Sequence, residues 1–490
     1  MMIAIPFDNS YARLPERFYA AVNPTAVAAP RLVKLNEALA RQLGLDPDWL
    51  KGPDGLAMLA GNSLVEGTTP IATAYAGHQF GGFSPQLGDG RAILLGEVVD
   101  RDGQRRDIQL KGAGPTPFSR RGDGRAALGP VLREYIISEA MAALGVPTTR
   151  ALAAVLTGET VRRETLLPGA ILTRIAASHI RIGTFQFFAA RRDVEALRLL
   201  ADHVIARHYP QVAESEAPYL ALLEAVVAAQ ADLVARWMLI GFIHGVMNTD
   251  NMSIAGETID YGPCAFMDNY DPATVFSSID EYGRYAYGNQ PPIALWNLTR
   301  FAEALLPLLA EDQEKAVAVA QDAVNRFNEL FQASLIAGFR RKLGLYMEAP
   351  DDVLLIKALL DTMQRGQTDF TLTFRRLSDD AVGNGQSCRE LFTSPGAFDD
   401  WHGGWQQRLL QESLSAEERQ RAMRSVNPLF IPRNHRVEAV IQAAVERDDL
   451  APFEELLAVL AKPYDEQPGR EAYTQPPAAH ERVLATFCGT

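Results

Sequence analysis

Two carboxylates and an amide lie close together between residues 244 and 262, and this stretch constrains the chain more than any other. Asp250 and Asn251 are adjacent, and the turn-prone pair Ala255-Gly256 separates them from Asp260. A two-residue hairpin turn at that pair would place Asn251 opposite Asp260 on the neighbouring strand. Directly opposed residues of antiparallel strands lie about 5 Å apart at Cα. The stretch therefore predicts three oxygen-bearing side chains around one point.

Oxygen donors of this kind suit Mg²⁺, which takes one or two carboxylates together with water and substrate phosphates. An EF-hand does not fit, because the regular ligand positions and the closing glutamate are missing. Asp and Asn also favour turns for purely local reasons. From these residues alone, a metal site and an ordinary polar turn are both open.

The composition is that of an ordinary soluble globular protein, with 490 residues, 47% hydrophobic and 22% charged. This length allows roughly three domains. The net charge of −13 argues against a nucleic-acid surface as the main function, but a local basic site for phosphates is compatible with it.

Cys264, Cys388 and Cys488 are too few and too far apart for a disulfide framework or a zinc site. The N-terminus lacks a basic signal-peptide region and the apolar run Trp237–Met247 is too short for a membrane span, so we expect a cytoplasmic protein.

A glycine-bearing loop precedes two predicted strands in the N-terminal third. Gly88, Gly90 and Arg91 end the loop, residues 92–99 form the first strand, and the second strand ends at Lys111. Backbone N–H groups of such a loop can approach phosphates because glycine carries no side chain, and the lysine adds a positive charge. The alternative, a plain turn and a solvated strand end, is favoured when glycines are the only signal.

Two further groups of residues suggest an anion site. Residues 112–125 form a long polar loop with Asp123 and Gly124 near its end, and irregular loops of this length are usually functional or mobile. Arg174 and Arg181 bracket a mostly apolar stretch. A buried arginine needs an anionic partner, so either a bound anion or simple surface exposure would explain these two.

Helical spacing of apolar residues predicts helices over residues 31–45 and 130–144. The second helix carries Glu134 and Glu139, and either could reach Lys111. Glu139 lies nearer the apolar stripe of the helix and Glu134 lies off it. Both could instead be solvated charges on the helix surface.

The sequence also predicts strands over residues 152–155 and 170–175. The chain after them is mostly helical, and apolar residues at helical spacing are clear in residues 314–345, 351–365, 416–425 and 435–461. We therefore predict an α+β fold with two lobes, a small mixed lobe and a mainly helical one. The predicted divisions are an N-terminal extension (1–60), an N-lobe (61–165), a C-lobe with the metal and catalytic motifs (166–345) and a helical C-terminal extension (346–490).

The order of these parts resembles a protein-kinase-like fold: glycine loop, strand lysine, helix glutamate, Asp-Asn pair and Asp-Tyr-Gly triplet. His244 and Asn251 are seven residues apart, as are the corresponding residues of the kinase catalytic loop. Asp260 begins the triplet that corresponds to the kinase Asp-Phe-Gly. Val246 occupies the position of the kinase catalytic aspartate, and the nearby carboxylate is Asp250. A conventional kinase is therefore disfavoured.

A wider resemblance extends over almost the whole chain. Its motifs are Gln86-Leu-Gly-Asp-Gly-Arg91, Leu110-Lys-Gly-Ala-Gly114, Arg121-Gly-Asp-Gly124, Ser138-Glu-Ala-Met141, His244–Asn251 and Gly283–Pro291. Together they resemble the selenoprotein O family. The resemblance implies a kinase-like fold that acts as a protein adenylyltransferase. ATP would bind in an inverted orientation, and AMP would pass to Ser, Thr or Tyr hydroxyl groups of protein substrates, the chain itself among the candidates.

Carried over residue by residue, the resemblance implies a role for each polar group of the predicted pocket. The implied ATP contacts are Gly88, Gly90, Arg91, Lys111, Asp123, Gly124, Arg174, Arg181 and Asp260. Asn251 and Asp260 would hold Mg²⁺ or Mn²⁺, and Asp250 would be the base that takes the hydroxyl proton. The ion pair with Lys111 falls on Glu134, with Glu139 still open.

The resemblance also raises a redox question. Eukaryotic relatives carry selenocysteine near the C-terminus, where this chain has Cys488, and a redox link needs a second cysteine, of which Cys264 is the nearest candidate after the metal motif. Three other functions stay open: transfer of UMP from UTP, conventional phosphorylation, and an ATP-binding scaffold without turnover.

Overall fold

An antiparallel sheet in the first part of the chain is followed by a long run of helices. The computed structural model describes residues 5–383 and 386–487. The strands are β1 Tyr19–Ala21, β2 Arg31–Leu35, β3 Ile71–Thr73, β4 Gly77–Gln79, β5 Gly82–Ser84, β6 Ala92–Val99, β7 Arg105–Lys111, β8 Ala126–Ala127, β9 Arg150–Arg162, β10 Leu166–Ala176, β11 Phe242–Ile243 and β12 Ala265–Phe266.

Within the described residues, the helices fall into two groups, four that precede or pack on the sheet and twelve that follow it. The first group is α1 Glu37–Gln42, α2 Pro47–Lys51, α3 Pro53–Leu59 and α4 Leu128–Ala143. The second group is α5 Ile182–Ala190, α6 Val194–His208, α7 Pro218–Leu239, α8 Gln290–Leu309, α9 Gln313–Lys342, α10 Asp352–Gly366, α11 Phe370–Asp380, α12 Gln386–Arg389, α13 Pro395–Leu409, α14 Ala416–Arg424, α15 Asn434–Arg447 and α16 Ala451–Leu460. The predicted α+β class is confirmed.

The main sheet has the strand order β1-β3-β6-β7-β10-β9-β2, with β8 paired to β10. Every pair is antiparallel. A hairpin joins β6 to β7, as predicted from the strands over 92–99 and 107–111. A second hairpin joins β9 to β10, which contain the predicted strands over 152–155 and 170–175.

Both faces of this sheet are covered, and β6 is accordingly apolar on both faces except at Glu97, which is fully buried and paired with Arg207. Ile93 and Leu95 pack into a cluster with helices α1 to α3. Leu94 points to the opposite face and joins the large core that includes Leu132 and Ile136 of α4. Alternate residues of one strand thus enter two different cores. The position of α4 on the sheet brings its glutamates next to β7 and β10.

The predicted helix over residues 31–45 is wrong in its first half. Arg31–Leu35 forms the edge strand β2, which pairs with β9. Only Glu37–Gln42 is helical, and the side chain of Asn36 caps it by accepting a hydrogen bond of 3.1 Å from the backbone N–H of Leu39. The leucine spacing fits a helix, but pairing with the edge of β9 outweighs that local preference.

The predicted hairpin at Ala255-Gly256 is also wrong. Ser253 pairs with Arg181 and Thr258 pairs with Thr148, so the two arms pair with other segments and not with each other. The backbone groups that a hairpin would have paired with each other instead form hydrogen bonds to the segments around Arg181 and Thr148. Asn251 consequently does not face Asp260 across a ladder.

In the helical part, the patterns over 314–345, 351–365 and 416–425 correspond to α9, α10 and α14. The pattern over 435–461 is two helices, α15 and α16, because Asp448 adopts a left-handed conformation with φ of 51° and ends the first one. One helix within the described ranges, α7, is long and apolar enough to cross a membrane, and half of that stretch is buried. It packs against α8 and α9, as a core helix does.

The side chain of Arg433 ties the C-terminal helices to the rest of the fold. It is 1% exposed and donates to Asp369 at 2.7 Å, to Asp268 at 2.6 Å and to the carbonyl of Thr474 at 3.0 Å. Asp369 also caps α11 by accepting a hydrogen bond from the N–H of Leu372. One guanidinium therefore neutralises two carboxylates from different segments.

We expect Arg433→Met to lower the free energy of unfolding by about 3–5 kcal/mol, because it leaves two largely buried carboxylates without a counter-charge. Urea unfolding followed by circular dichroism measures this as a lower midpoint. The matched control is Arg447→Met, an exposed arginine of the same helix, which should change stability by less than about 0.5 kcal/mol. Equal midpoints for the two variants would contradict the role given to Arg433.

Candidate active site

A cavity of about 710 Å³ collects the predicted site residues between the sheet and the stretch around residue 250. Every residue predicted to bind nucleotide or metal lines it, as does the predicted base; these are Gly88, Gly90, Arg91, Lys111, Asp123, Gly124, Arg174, Arg181, Asp250, Asn251 and Asp260. Glu134 lies behind the wall of the cavity, on α4. The lining contains eight lysines and arginines against four aspartates. In a chain with a net charge of −13, this is a local basic site of the kind that binds phosphates.

The sheet and α4 position two cations beside one carboxylate. Lys111 on β7 faces Leu172 on β10, and Arg174 follows two residues later on the same face. Lys111 Nζ lies 2.5 Å from Glu134 Oε2, and Arg174 Nε lies 2.5 Å from Glu134 Oε1. Burial alone would raise the pKa of Glu134, but the two cations outweigh it and lower that pKa. Burial and the neighbouring Arg174 lower the pKa of Lys111 to about 8.

The alternative partner for Lys111, Glu139, is engaged elsewhere. Its carboxylate accepts hydrogen bonds from Arg150 at 2.7 and 2.9 Å and from Asn36 at 2.7 Å. These contacts lie away from the cavity, at the end of β9. Glu134, and not Glu139, is therefore the ion-pair partner of Lys111.

Asp260 is held by two arginines. Arg174 Nη2 lies 2.7 Å from Asp260 Oδ1, and Arg181 Nη1 donates to Asp260 Oδ2. Asp260 has a left-handed backbone with φ of 60°, a conformation that Asp tolerates better than most residues. Burial opposes ionisation of this carboxyl, but Arg181 and Arg174 hold its pKa well below the usual range. The two arginines thus favour the ionised form of Asp260.

The glycine loop is shaped by contact with a second loop. Gly88 has φ of 74°, and a Cβ there would lie 2.3 Å from the ring of Phe118. A Cβ at Gly90 would lie 2.9 Å from the carbonyl oxygen of Phe118. The carboxylate of Asp89 anchors the loop by accepting hydrogen bonds from the N–H and the hydroxyl of Thr73, at 3.0 and 2.6 Å. These glycines are therefore required by close packing as well as by access of a ligand.

The predicted base lies in a short 3₁₀ turn, Thr249–Asn251, between the end of β11 and Ser253. Burial raises the pKa of the Asp250 carboxyl to about 6. Arg181 also donates to the backbone carbonyl of Asp250 at 2.6 Å, which joins the turn to the cation cluster. His244 Nε2 is hydrogen-bonded to the backbone carbonyl of Ile259 at 2.8 Å. This bond holds the segment before the turn next to the residue that precedes Asp260.

The donor set for a metal ion is small. Asn251 uses its amide N–H to bond the carbonyl of Val246 at 3.0 Å, which leaves its side-chain oxygen for the cavity, and Asp260 supplies carboxylate oxygens. No group of three or more His, Cys, Asp or Glu residues that could hold a metal ion occurs within residues 5–383 and 386–487. Two oxygen ligands fit Mg²⁺ or Mn²⁺ where phosphate oxygens and water complete the coordination.

The structure also shows contacts that the sequence did not suggest. The hairpin of β4 and β5, residues 77–84, packs on the 3₁₀ turn, and Gln79 Nε2 donates to Asp250 Oδ2 at 3.2 Å. Glycine-rich composition marks residues 77–82 as a turn, but no local pattern connects them with residue 250.

The cysteines do not form a reactive pair in the part of the chain that the structure describes. Cys264 and Cys388 are buried free thiols, and burial raises the pKa of Cys264 to about 12. A buried thiol of this kind is a poor nucleophile. Cys488 lies outside the described residues.

Comparison with known proteins identifies the family to which the chain belongs. A family model described as protein adenylyltransferase SelO matches residues 1–461. The chain belongs to the SelO family. Curated relatives called "protein nucleotidyltransferase YdiU" are 67% identical in Rhodopseudomonas palustris strain BisB5 and 68% identical in Bradyrhizobium diazoefficiens strain USDA 110. Both alignments cover all of this chain and all of the relative. The predicted membership of the selenoprotein O family is confirmed, and the family is one of enzymes that transfer a nucleotidyl group.

The pKa of Lys111 predicts that the affinity for ATP depends on pH. Its ammonium group loses the proton as the pH rises through about 8, below the ordinary value of 10.5, so the charge available to phosphates is lost above that pH. We expect calorimetric titration with ATP to give binding about 10-fold weaker at about pH 9 than at about pH 7.

Two variants distinguish the deprotonation of Lys111 from other effects of alkaline pH on the affinity for ATP. Lys111→Met should bind ATP more weakly at neutral pH and show no such loss at alkaline pH. Lys34→Met, which removes a lysine paired with Glu454 away from the cavity, should behave as the wild type does. An affinity of the wild-type protein that is the same at both pH values would contradict the assignment.

Proposed function

We propose that this chain is a metal-dependent protein adenylyltransferase, which moves AMP from ATP to Ser, Thr or Tyr hydroxyl groups of proteins and releases pyrophosphate. The observation that carries the proposal is the position of Asp250. Its carboxylate lines the same cavity as the cation cluster, while Val246 stands where a kinase would have its catalytic aspartate. Membership of the SelO family supports the same reaction.

The finer description of the fold belongs to this proposal. We infer a kinase-like arrangement of two lobes, with residues 61–165 and 166–345 as the lobes and 1–60 and 346–490 as extensions. It is supported by the Lys111–Glu134 ion pair between a sheet strand and a helix, and by Asn251 and Asp260, which follow the sheet in the chain and line the same cavity as Lys111. A cytoplasmic location, where ATP is available, is part of the proposal.

The distribution of charge suggests how ATP lies. Lys111, Arg174 and Arg181 cluster at the inner end of the cavity, and Arg91 and the arginines of the 112–125 loop add positive charge along its wall. A triphosphate inserted with its β- and γ-phosphates among these groups presents its α-phosphorus toward Asp250. This is the inverted orientation that an AMP transferase requires, since pyrophosphate is then the leaving group held by cations.

The chemistry then assigns one task to each group. Asp250 accepts the proton of the acceptor hydroxyl, whose oxygen forms a bond to the α-phosphorus as the bond to the bridging oxygen of pyrophosphate breaks. The cation cluster stabilises the charge that develops on the leaving pyrophosphate. Mg²⁺ or Mn²⁺ held by Asn251 and Asp260 would neutralise phosphate charge. Positioning and charge neutralisation therefore supply most of the catalysis.

The decisive measurement is the intact mass of acceptor proteins, and of the chain itself, after incubation with ATP and Mg²⁺. Transfer of AMP adds about 329 Da, whereas phosphorylation adds about 80 Da. We expect the larger gain, with label incorporated from α-labelled but not from γ-labelled ATP. Asp260→Ala should abolish it, because the variant loses a metal ligand and leaves Arg174 and Arg181 without their common carboxylate.

Asp250→Asn should lower the rate of transfer by about 10²–10⁴-fold while ATP still binds, because an amide cannot take the hydroxyl proton. Asp54→Asn, at an exposed position of α3, is the control and should leave the rate unchanged. A gain of about 80 Da would favour a conventional kinase instead. Binding of ATP without any gain would favour a scaffold, and a larger rate with UTP than with ATP would make UMP the transferred group.

A further inference from the structure

The β4–β5 hairpin is bonded to three consecutive residues, Asn248, Thr249 and Asp250, the last of which is the proposed base. The backbone N–H of Phe80 donates to Asn248 Oδ1 at 3.0 Å, and the backbone N–H of His78 donates to Thr249 Oγ1 at 2.7 Å. The third contact is the hydrogen bond of 3.2 Å from Gln79 Nε2 to Asp250 Oδ2. Two backbone contacts hold the hairpin in place, and one side-chain contact reaches the base.

The two oxygens of Asp250 have different surroundings. Oδ1 is buried and has no hydrogen-bond partner. It faces Gly77, where an added Cβ would lie 2.4 Å away. Oδ2 receives the N–H of Gln79, whose side chain lines the cavity together with that of Asp250. The hairpin thus encloses one carboxylate oxygen and directs a donor at the other.

We propose that Gln79 is a positioning residue, which fixes the plane of the Asp250 carboxylate so that Oδ2 faces the cavity. The inference rests on the proposed function, because it concerns the base of that reaction. The terminal torsion of an aspartate is broad and nearly two-fold, so a carboxylate without a directed donor rotates freely within its site. The hydrogen bond from Gln79, which is directed at Oδ2, favours one setting of this torsion.

A purely structural role for Gln79 makes a different prediction. The hairpin is fastened by backbone groups of His78 and Phe80, and the side chain of Gln186 adds a contact of 2.9 Å to His78. None of these bonds uses the side chain of Gln79. Its removal should therefore leave the hairpin and the nucleotide pocket in place and change only the orientation of Asp250.

The test compares Gln79→Ala and Gln79→Glu with the wild-type full-length chain. We expect Gln79→Ala to lower kcat for AMP transfer by about 10–100-fold, because misplacement of a reacting group by about 1 Å costs that much. The KM for ATP and the Kd for ATP should change by less than about 3-fold. Gln79→Glu keeps the shape of the side chain but replaces the N–H donor by an oxygen, so its kcat should be no higher than that of Gln79→Ala. Gln104→Ala, an exposed glutamine in the β6–β7 turn, is the matched control and should transfer AMP at the wild-type rate.

Transfer is followed with α-labelled ATP, with the chain itself and the soluble proteins of a cell lysate as acceptors. Unchanged kcat in Gln79→Ala, or a loss that falls on ATP binding or KM, would overturn the proposal. Crystal structures of the wild type and of Gln79→Ala provide a readout that does not need activity. The carboxylate of Asp250 should rotate while the bonds from residues 78 and 80 persist, and an unmoved carboxylate would overturn the role. A wild-type protein that transfers nothing would defeat the proposed function, and the two structures would still decide whether Gln79 orients Asp250.

Discussion

The site depends on the buried guanidinium of Arg174. It bonds Glu134 on α4 through Nε and Asp260 through Nη2, while its own strand lies beside the strand of Lys111. Buried charges are tolerated when each is paired, and here one arginine satisfies two carboxylates from different segments. Loss of any member leaves an uncompensated charge away from water. The sheet, α4 and the segment that carries Asp260 are therefore held in one relative position by electrostatics as well as by apolar packing.

The lining of the cavity carries more cations than carboxylates, eight lysines and arginines against four aspartates. One of these carboxylates, Asp89, lies 3.9 Å from Arg181. Lys111, Arg174 and Arg181 share Glu134 and Asp260, and the rest of the lining is also rich in arginine. The lowered pKa of Lys111 follows from this, since burial and a neighbouring guanidinium both disfavour its charged form. A triphosphate would add the missing negative charge and favour protonated Lys111. Perturbed groups of this kind concentrate at functional sites because ligand binding relieves the perturbation.

Much of the fold could be predicted from the sequence, and the failures have definite causes. The strand over 92–99 and the helix over 130–144 were predicted correctly, because each is an apolar stretch of suitable length bounded by glycine, proline or turn residues. Residues 31–45 have a helical spacing, but the open edge of β9 recruits their first half into the sheet. Helical phase could not choose between Glu134 and Glu139, because α4 is buried on almost every side and its apolar stripe carries little information. The hairpin at residues 255–256 failed because both of its arms pair elsewhere.

Chemical identity could be predicted for the site, but orientation could not. Val246 stands where a kinase has its catalytic aspartate, so the sequence offers Asp250, beside Asn251, as the nearby carboxylate, and the family resemblance implies its role as the base. Asp250 and Asn251 belong to one short turn, and its local backbone geometry does not determine which carboxylate oxygen of Asp250 faces the cavity. The determining contact comes from Gln79, 171 residues away. Since a contact at that separation leaves no periodic or local signal, the orientation of the base is a property that only the folded chain possesses.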